Sequence, residues 1–342
     1  MRSRAAAGLR AAGLGLALVL TAAHAAADAP RPIEAPVRIE IAARSIENFE
    51  PRDSRRQFGQ LQFRGGLALT SSHRHFGGLS GLQVAADGAR FIAVTDRGRW
   101  LRGRIVYEGT RPVGVAEAEM APMLGPDGLP LSARRWHDTE SLAQDSGILF
   151  VGVERANLIL RFDYGRYGLL ARGEPIPAPP EIKHLPFNRG LEALAYAPKG
   201  HPLAGALIAV SEKALDAAGN TLAFLIGGPF PGRFTLRRSD DFDVTDAAVL
   251  PGGDLLILER RASLLRGLSM RVRRIAARSI RPGALVVGAT LIEADMGYQI
   301  DNMEGLAVHR STNGETVLTL VSDDNFSSLQ RTLLLQFTLL DE

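Results

Sequence analysis

The chain has no cysteine among its 342 residues, only three lysines (Lys183, Lys199 and Lys213) and 6% aromatic residues. Without cysteine there is no disulfide framework, no thiol nucleophile, no thiolate-bound zinc and no iron–sulfur cluster. With so little lysine, the 40 basic residues are almost all arginine, which explains the high pI. Arg2, Arg4 and Arg10 account for the whole formal charge of +3, so the remainder is balanced. That balance excludes the basic stripe of a nucleic-acid-binding surface and the polybasic patch of a membrane-surface protein. No segment carries a sustained 3.6-residue apolar pattern, so helices are expected to be scarce. What is abundant is apolar residues (46%) and glycine (36), in a chain long enough for one large domain or two ordinary ones.

Residues 1–27 have the layout of a secretory signal peptide. Three arginines precede a short apolar core, Ala11 to Ala23, and small residues then offer cleavage after Ala25 or Ala27. The core is shorter than the ~20 apolar residues that span a bilayer, so stable membrane insertion is not expected. The mature protein is expected in the periplasm or secreted, where a large core can replace cross-links. Residues 28–59 form an N-terminal extension, and a single domain occupies 60–342.

That domain is repetitive. Five paired motifs recur roughly 50–60 residues apart. They are GGLSGL (77–82) with VTDRG (94–98), HDTESLA (137–143) with VERA (153–156), and NRGLEALA (188–195) with SEKA (211–214). DVTDAAV (243–249) with ERRA (259–262) and DNMEGLAV (301–308) with VSDDN (321–325) complete the set. Each reads as two short antiparallel strands joined by a Gly-containing turn, and weaker alternating stretches follow. Repeats of this length predict an all-β fold, a single β-propeller of five four-stranded blades. Too few residues follow Glu304 to finish the fifth blade, so 60–70 (QLQFRGGLALT) is expected to supply its closing strand. A sixth blade follows only if 33–58 form a degenerate one. The proline-rich stretch 173–186 reads as an inter-blade loop.

Superimposing the motifs puts Ser80, Glu140, Glu192, Asp246 and Glu304 in one column, and Asp96, Glu154, Glu212, Glu259 and Asp323 in a second. Arg97, Arg155, Lys213 and Arg260 follow the second column, with Asp324 breaking the pattern. Antiparallel pairing brings both columns to one end of the blades, at the mouth of the central channel. Nine carboxylates there require compensation, by the adjacent cations or by a hard cation such as calcium, which takes six to eight oxygen ligands. Asp301, Asn302 and Glu304, with Asp323 and Asp324, are the densest oxygen cluster and the expected ion ligands. Two uses stay open for any column member: a site role, or a hydrogen-bonded lock between blades. Glu154–Arg155 and Glu259–Arg260 read as blade-to-blade ion pairs. His137, just before Asp138 and Glu140, is a candidate general acid or ligand. His73 and His75 flank Arg74 in the loop feeding the first motif, while His184, His201 and His309 are expected at the surface.

These motifs, in this order, resemble the phytase-like β-propeller family, whose bacterial members are described as having esterase-like activity of phytase. The resemblance implies a calcium-dependent hydrolase of phosphoesters or other esters, acting as a monomer on a small-molecule substrate. It implies Glu140 and Glu192, with Glu304, as channel-mouth acids, and Arg97, Arg155, Lys213 and Arg260 as contacts to the substrate anion. Two other functions fit the same features: a calcium-dependent lactonase, and a non-catalytic propeller that binds a periplasmic ligand. The chain departs from the propeller phytases in its three lysines and in Ser80 at the head of the first column, which points away from phytate itself.

Overall fold

A computed structural model describes residues 34–186, 190–263 and 267–340. The signal-peptide reading of 1–27 lies outside the described residues. Antiparallel sheets dominate, as alternation and turn chemistry require, and five of them form the blades of a five-bladed β-propeller. Blade I comprises Leu79–Val84, Arg90–Thr95, Arg99–Glu108 and Arg111–Pro122. Thr139–Asp145, Ile148–Val153, Leu158–Asp163 and Gly173–Pro175 make blade II, and Leu191–Tyr196, Ala206–Leu215, Thr221–Gly227 and Gly232–Leu236 make blade III. Blade IV is Asp243–Val249, Leu255–Ser263, Gly267–Ile275 and Ala289–Asp295. Blade V begins with Asn302–Arg310, Thr316–Asp323 and Thr332–Leu339.

The fourth strand of blade V is Leu61–Thr70, which pairs antiparallel with Thr332–Leu339. The chain thus closes its own ring, and two sheet edges that would otherwise be exposed satisfy each other. Among the described residues, 34–58 build no sixth blade. Val37–Arg38 extends the outer edge of blade I and Ala42–Ile46 that of blade V, so one segment spans the closing seam. The proline-rich stretch 173–186 is not all loop either. Gly173–Pro175 is the outer strand of blade II, because a glycine lets the backbone lie on the Phe162 ring, where a Cβ would approach to 2.4 Å.

Packing follows the ring. Each pair of neighbouring blades shares one buried apolar cluster, and together the five clusters run unbroken around the molecule. The cluster between blades IV and V also takes in the seam. There Phe337 lies 5.1 Å from Phe49 and 5.2 Å from Phe63, ring centre to ring centre, and is fully buried. The inner strands of all five blades contact one another in succession around the channel. Among the described residues, no helix is long and apolar enough to cross a membrane.

One irregularity recurs in every blade. The inner strand slips register against its neighbour by one residue, between Leu79 and Gly81, Thr139 and Ser141, Leu191 and Ala193, Val244 and Asp246, and Met303 and Gly305. The skipped residue is a β-bulge, a device that re-aims a side chain out of the pleat. The residue after it must be small where the next blade packs closely. A Cβ on Gly81 would stand 3.0 Å from Leu142 of blade II, and one on Gly305 would stand 3.4 Å from Leu82 of blade I.

Emptying the closing seam tests this architecture. Phe337→Ala is expected to lower unfolding free energy by about 3–5 kcal/mol in a urea titration, the usual cost of a deleted buried phenyl group.

Candidate functional site

The bulges decide which side chains share the channel mouth. The five bulged residues are Ser80, Glu140, Glu192, Thr245 and Glu304. One place beyond the second-strand partner of the residue before each bulge stand Asp96, Glu154, Glu212, Arg260 and Asp323. Blade IV is therefore one residue out of step with the motif alignment, and Thr245 and Arg260 replace Asp246 and Glu259.

Asp246 and Glu259 do other work. Asp246 occupies the position held elsewhere by Gly81, Ser141, Ala193 and Gly305. Its carboxylate accepts from the Leu306 backbone N–H of blade V at 2.7 Å and from Ala247 at 2.8 Å. It is fully buried, burial raises its pKa well above the ordinary value, and it locks blade IV to blade V. Glu259 is equally buried and accepts from Nε of both Arg271 and Arg273 at 2.8 Å. These ion pairs lie within blade IV, between its second and third strands, so the expected blade-to-blade Glu259–Arg260 pair does not form.

Seven carboxylates remain around the mouth: Asp96, Glu140, Glu154, Glu192, Glu212, Glu304 and Asp323. Two triads stand out, Glu140–Glu192–Glu304 and Glu154–Glu192–Glu212. In each, one oxygen per residue lies within 4.8 Å of the others. Glu192 belongs to both. Opposed ligands on an ion bound at 2.3–2.6 Å are separated by up to about 5 Å, so either triad could hold a calcium-sized cation on oxygen alone. Burial raises the pKa values of Glu140, Glu192, Glu304 and Glu154, and neighbouring carboxylates raise them further. Asp323 rises to about 7 and Asp96 to about 6, again chiefly through burial, and Oδ1 of Asp96 has no hydrogen-bond partner.

The cations beside this ring are engaged. Arg260 Nη1 donates to Glu304 Oε1 and Asn302 Oδ1, each at 2.5 Å, and Nη2 lies 3.4 Å from Glu212 Oε1. Lys213 Nζ is 2.5 Å from Glu212 Oε1 and 3.6 Å from Asp243. Arg155 pairs with Asp138 at 2.7 Å rather than with Glu154, and its Nη1 is 3.5 Å from His137 Nε2. The guanidinium of Arg97 sits 3.3 Å above the centre of the Phe326 ring.

Of the expected ion ligands, the structure brings Glu304 together with Glu140 and Glu192. Asn302 orients it, Nδ2 donating to Glu304 Oε1 at 2.8 Å. Asp323 lies close enough to Glu304 and Asp96 for their charges to raise its pKa. Asp301 and Asp324 hold the connecting loop. Asp301 accepts from the Arg331 and Asn302 backbones, and Asp324 accepts from the Gly78 and Phe326 backbones and the Thr332 hydroxyl. His137 stands half-buried at the rim, two residues before Thr139 enters the inner strand. The neighbouring Asp138 has φ +76°, left-handed backbone where blade I places Gly78 at +63°, strain of the kind that gathers at working sites. His73 and His75 contact each other and Arg74. His184 is exposed as expected, but His201 and His309 are buried. His201 bridges blades III and IV, donating to the Gly253 carbonyl at 2.6 Å and accepting from Leu203 N–H.

A model of the family described as "Phytase-like: Esterase-like activity of phytase" matches residues 74–326. No curated protein matches the chain. Among solved structures, glutaminyl cyclase from Myxococcus xanthus is 15% identical with a TM-score of 0.39, over 78% of this chain and 92% of that one. The RRP9 WD40 repeats are 10% identical with a TM-score of 0.37, over 82% and 99%.

Two outcomes follow from the acid ring. Asp96, Glu140, Glu154, Glu192, Glu304 and Asp323 have raised pKa values, so the folded chain favours their protonated forms, and stability is lost as pH rises through about 6 to 7, where Asp96 and Asp323 ionise. In chelator, the melting temperature should fall between pH 5 and pH 8, and a millimolar divalent cation should flatten that fall. Glu192→Gln removes the carboxylate common to both triads. It should raise the melting temperature at pH 8 in chelator by at least about 2 °C while abolishing the gain that calcium gives the parent chain.

Proposed function

The chain belongs to the phytase-like family, and from that premise we propose that its channel mouth is the active site of an exported, calcium-dependent hydrolase of ester bonds. The observation that carries this reading is the pair of buried carboxylate triads joined at Glu192. No thiolate is present and the donors are all carboxylate and amide oxygen, the chemistry that suits a hard cation. A bound divalent ion supplies a Lewis acid for the scissile group and a water of lowered pKa.

The remaining roles fall to the protein. Glu192 and Glu304 bind, and Asn302 keeps Glu304 in place. Glu140, the most exposed member of its triad, is the one placed to act as general acid or base toward the substrate. His137, beside Arg155 on the rim, is the second group able to carry a proton there. The bulges set Glu140, Glu192 and Glu304 on strands rather than loops, which keeps these three rigid.

The charge pairing favours one kind of substrate. Arg155, Lys213 and Arg260 each contact a carboxylate, and Arg97 is stacked on Phe326. A doubly charged phosphomonoester would have to break these pairs beside seven acids. An uncharged ester or a lactone would not, so acyl esters are the favoured substrates and the lactonase reading gains from the same observation.

Nitrophenyl esters, a lactone panel and nitrophenyl phosphate, each assayed with calcium and with EDTA, test the reading. Turnover of an ester or lactone is expected, abolished by EDTA, restored by calcium, and faster than that of the phosphate. Glu192→Gln should lower kcat by about a hundredfold or more. Calcium-replete protein that turns over none of these substrates would defeat the proposal.

A further inference from the structure

Blade IV breaks the charge pattern of the other four. Where they place Asp96, Glu154, Glu212 and Asp323, it places Arg260. At the bulge it offers Thr245, whose hydroxyl is already donated to the Met303 carbonyl at 3.0 Å. Blade IV thus brings to the mouth one positive charge and no free carboxylate.

The guanidinium touches both acid triads at members other than the shared one. It contacts Glu304 of the first through Nη1 and Glu212 of the second through Nη2. Oε1 of Glu304 also accepts from Asn302 Nδ2, so its two lone pairs are committed to donors. The Arg260 side chain is only 23% exposed, and its charge is correspondingly poorly screened. A cation approaching either triad therefore meets a positive charge already in contact with one of its ligands.

We propose that Arg260 is a tethered counter-ion that competes with the bound divalent cation, lowering its affinity while holding the acid ring together in the ion's absence. This rests on the metal reading of the mouth given above. The sign of the effect separates it from a purely structural role. A structural arginine, once removed, costs both stability and ion affinity. A competing one costs stability without the ion but tightens the ion, because one ligand is released and one repulsion disappears.

The experiment titrates the full chain with calcium chloride by calorimetry in chelator-stripped buffer, and records melting temperatures in EDTA. Arg260→Gln should bind calcium about tenfold more tightly than the parent chain while melting several degrees lower in EDTA. Arg260→Lys keeps a cation but not the planar fork that spans Glu304, Asn302 and Glu212, and it should bind about threefold more tightly. It also serves as the reporter should the glutamine variant fail to fold. Calcium binding that is unchanged or weaker in the folded variants overturns the role of Arg260 and leaves the metal reading standing. No calcium binding by the parent chain or either variant overturns the metal reading and this proposal with it.

Discussion

Buried like charge is the constraint on which the structure turns. Seven carboxylates face one opening, and the guanidinium of Arg260 reaches two of them, Glu304 and Glu212. The raised pKa values of Glu140, Glu192, Glu304 and Asp323 record chiefly the cost of burying these carboxyls, and after it the cost of crowding them together. A protein with such a centre must be held together elsewhere. Here the holding is done by five inter-blade cores, by the strand that closes the ring, and by fully buried polar locks such as Asp246 on Leu306. Stability at the rim of the wheel permits instability at its axis, the usual arrangement where charge is gathered for binding or catalysis.

The bulge in each inner strand links fold to chemistry. In a regular strand every second residue faces the same way, so a channel-facing glutamate would alternate with residues in the inter-blade cores. The extra residue breaks that alternation at one point and turns a single side chain toward the axis. Glycine or another small residue then lets the next blade come close, as at Gly81 and Gly305. Five repetitions of one local device produce a centre that no single blade contains.

Blade number, ring closure and the grouping of acids were legible from the sequence, because each depends on periodicity and strand alternation. Counting the residues that blade V lacks places its closing strand at 61–70. The register of blade IV is not legible in the same way. Asp246 imitates the glutamate one place earlier in the other motifs, and Glu259 imitates the acid one place later. The small-residue rule could have exposed the shift, since Gly81, Ser141, Ala193 and Gly305 all follow the bulged residue and Asp246 occupies their position. Asp301 and Asp324 are likewise indistinguishable from Glu304 in the sequence, since only contacts show that backbone N–H groups and, at Asp324, the Thr332 hydroxyl engage their oxygens.

The sequence alone determined that this chain builds a ring of similar sheets with acids at one end, because repeat length and alternation are local properties. Only the tertiary structure decided which carboxylates meet. Glu140, Glu192 and Glu304 come from blades II, III and V, and their proximity depends on ring geometry that no local pattern encodes. The same holds for Arg260: its residue type is written in the chain, but its reach to Glu304 and Glu212 exists only once blades III, IV and V are closed around one axis.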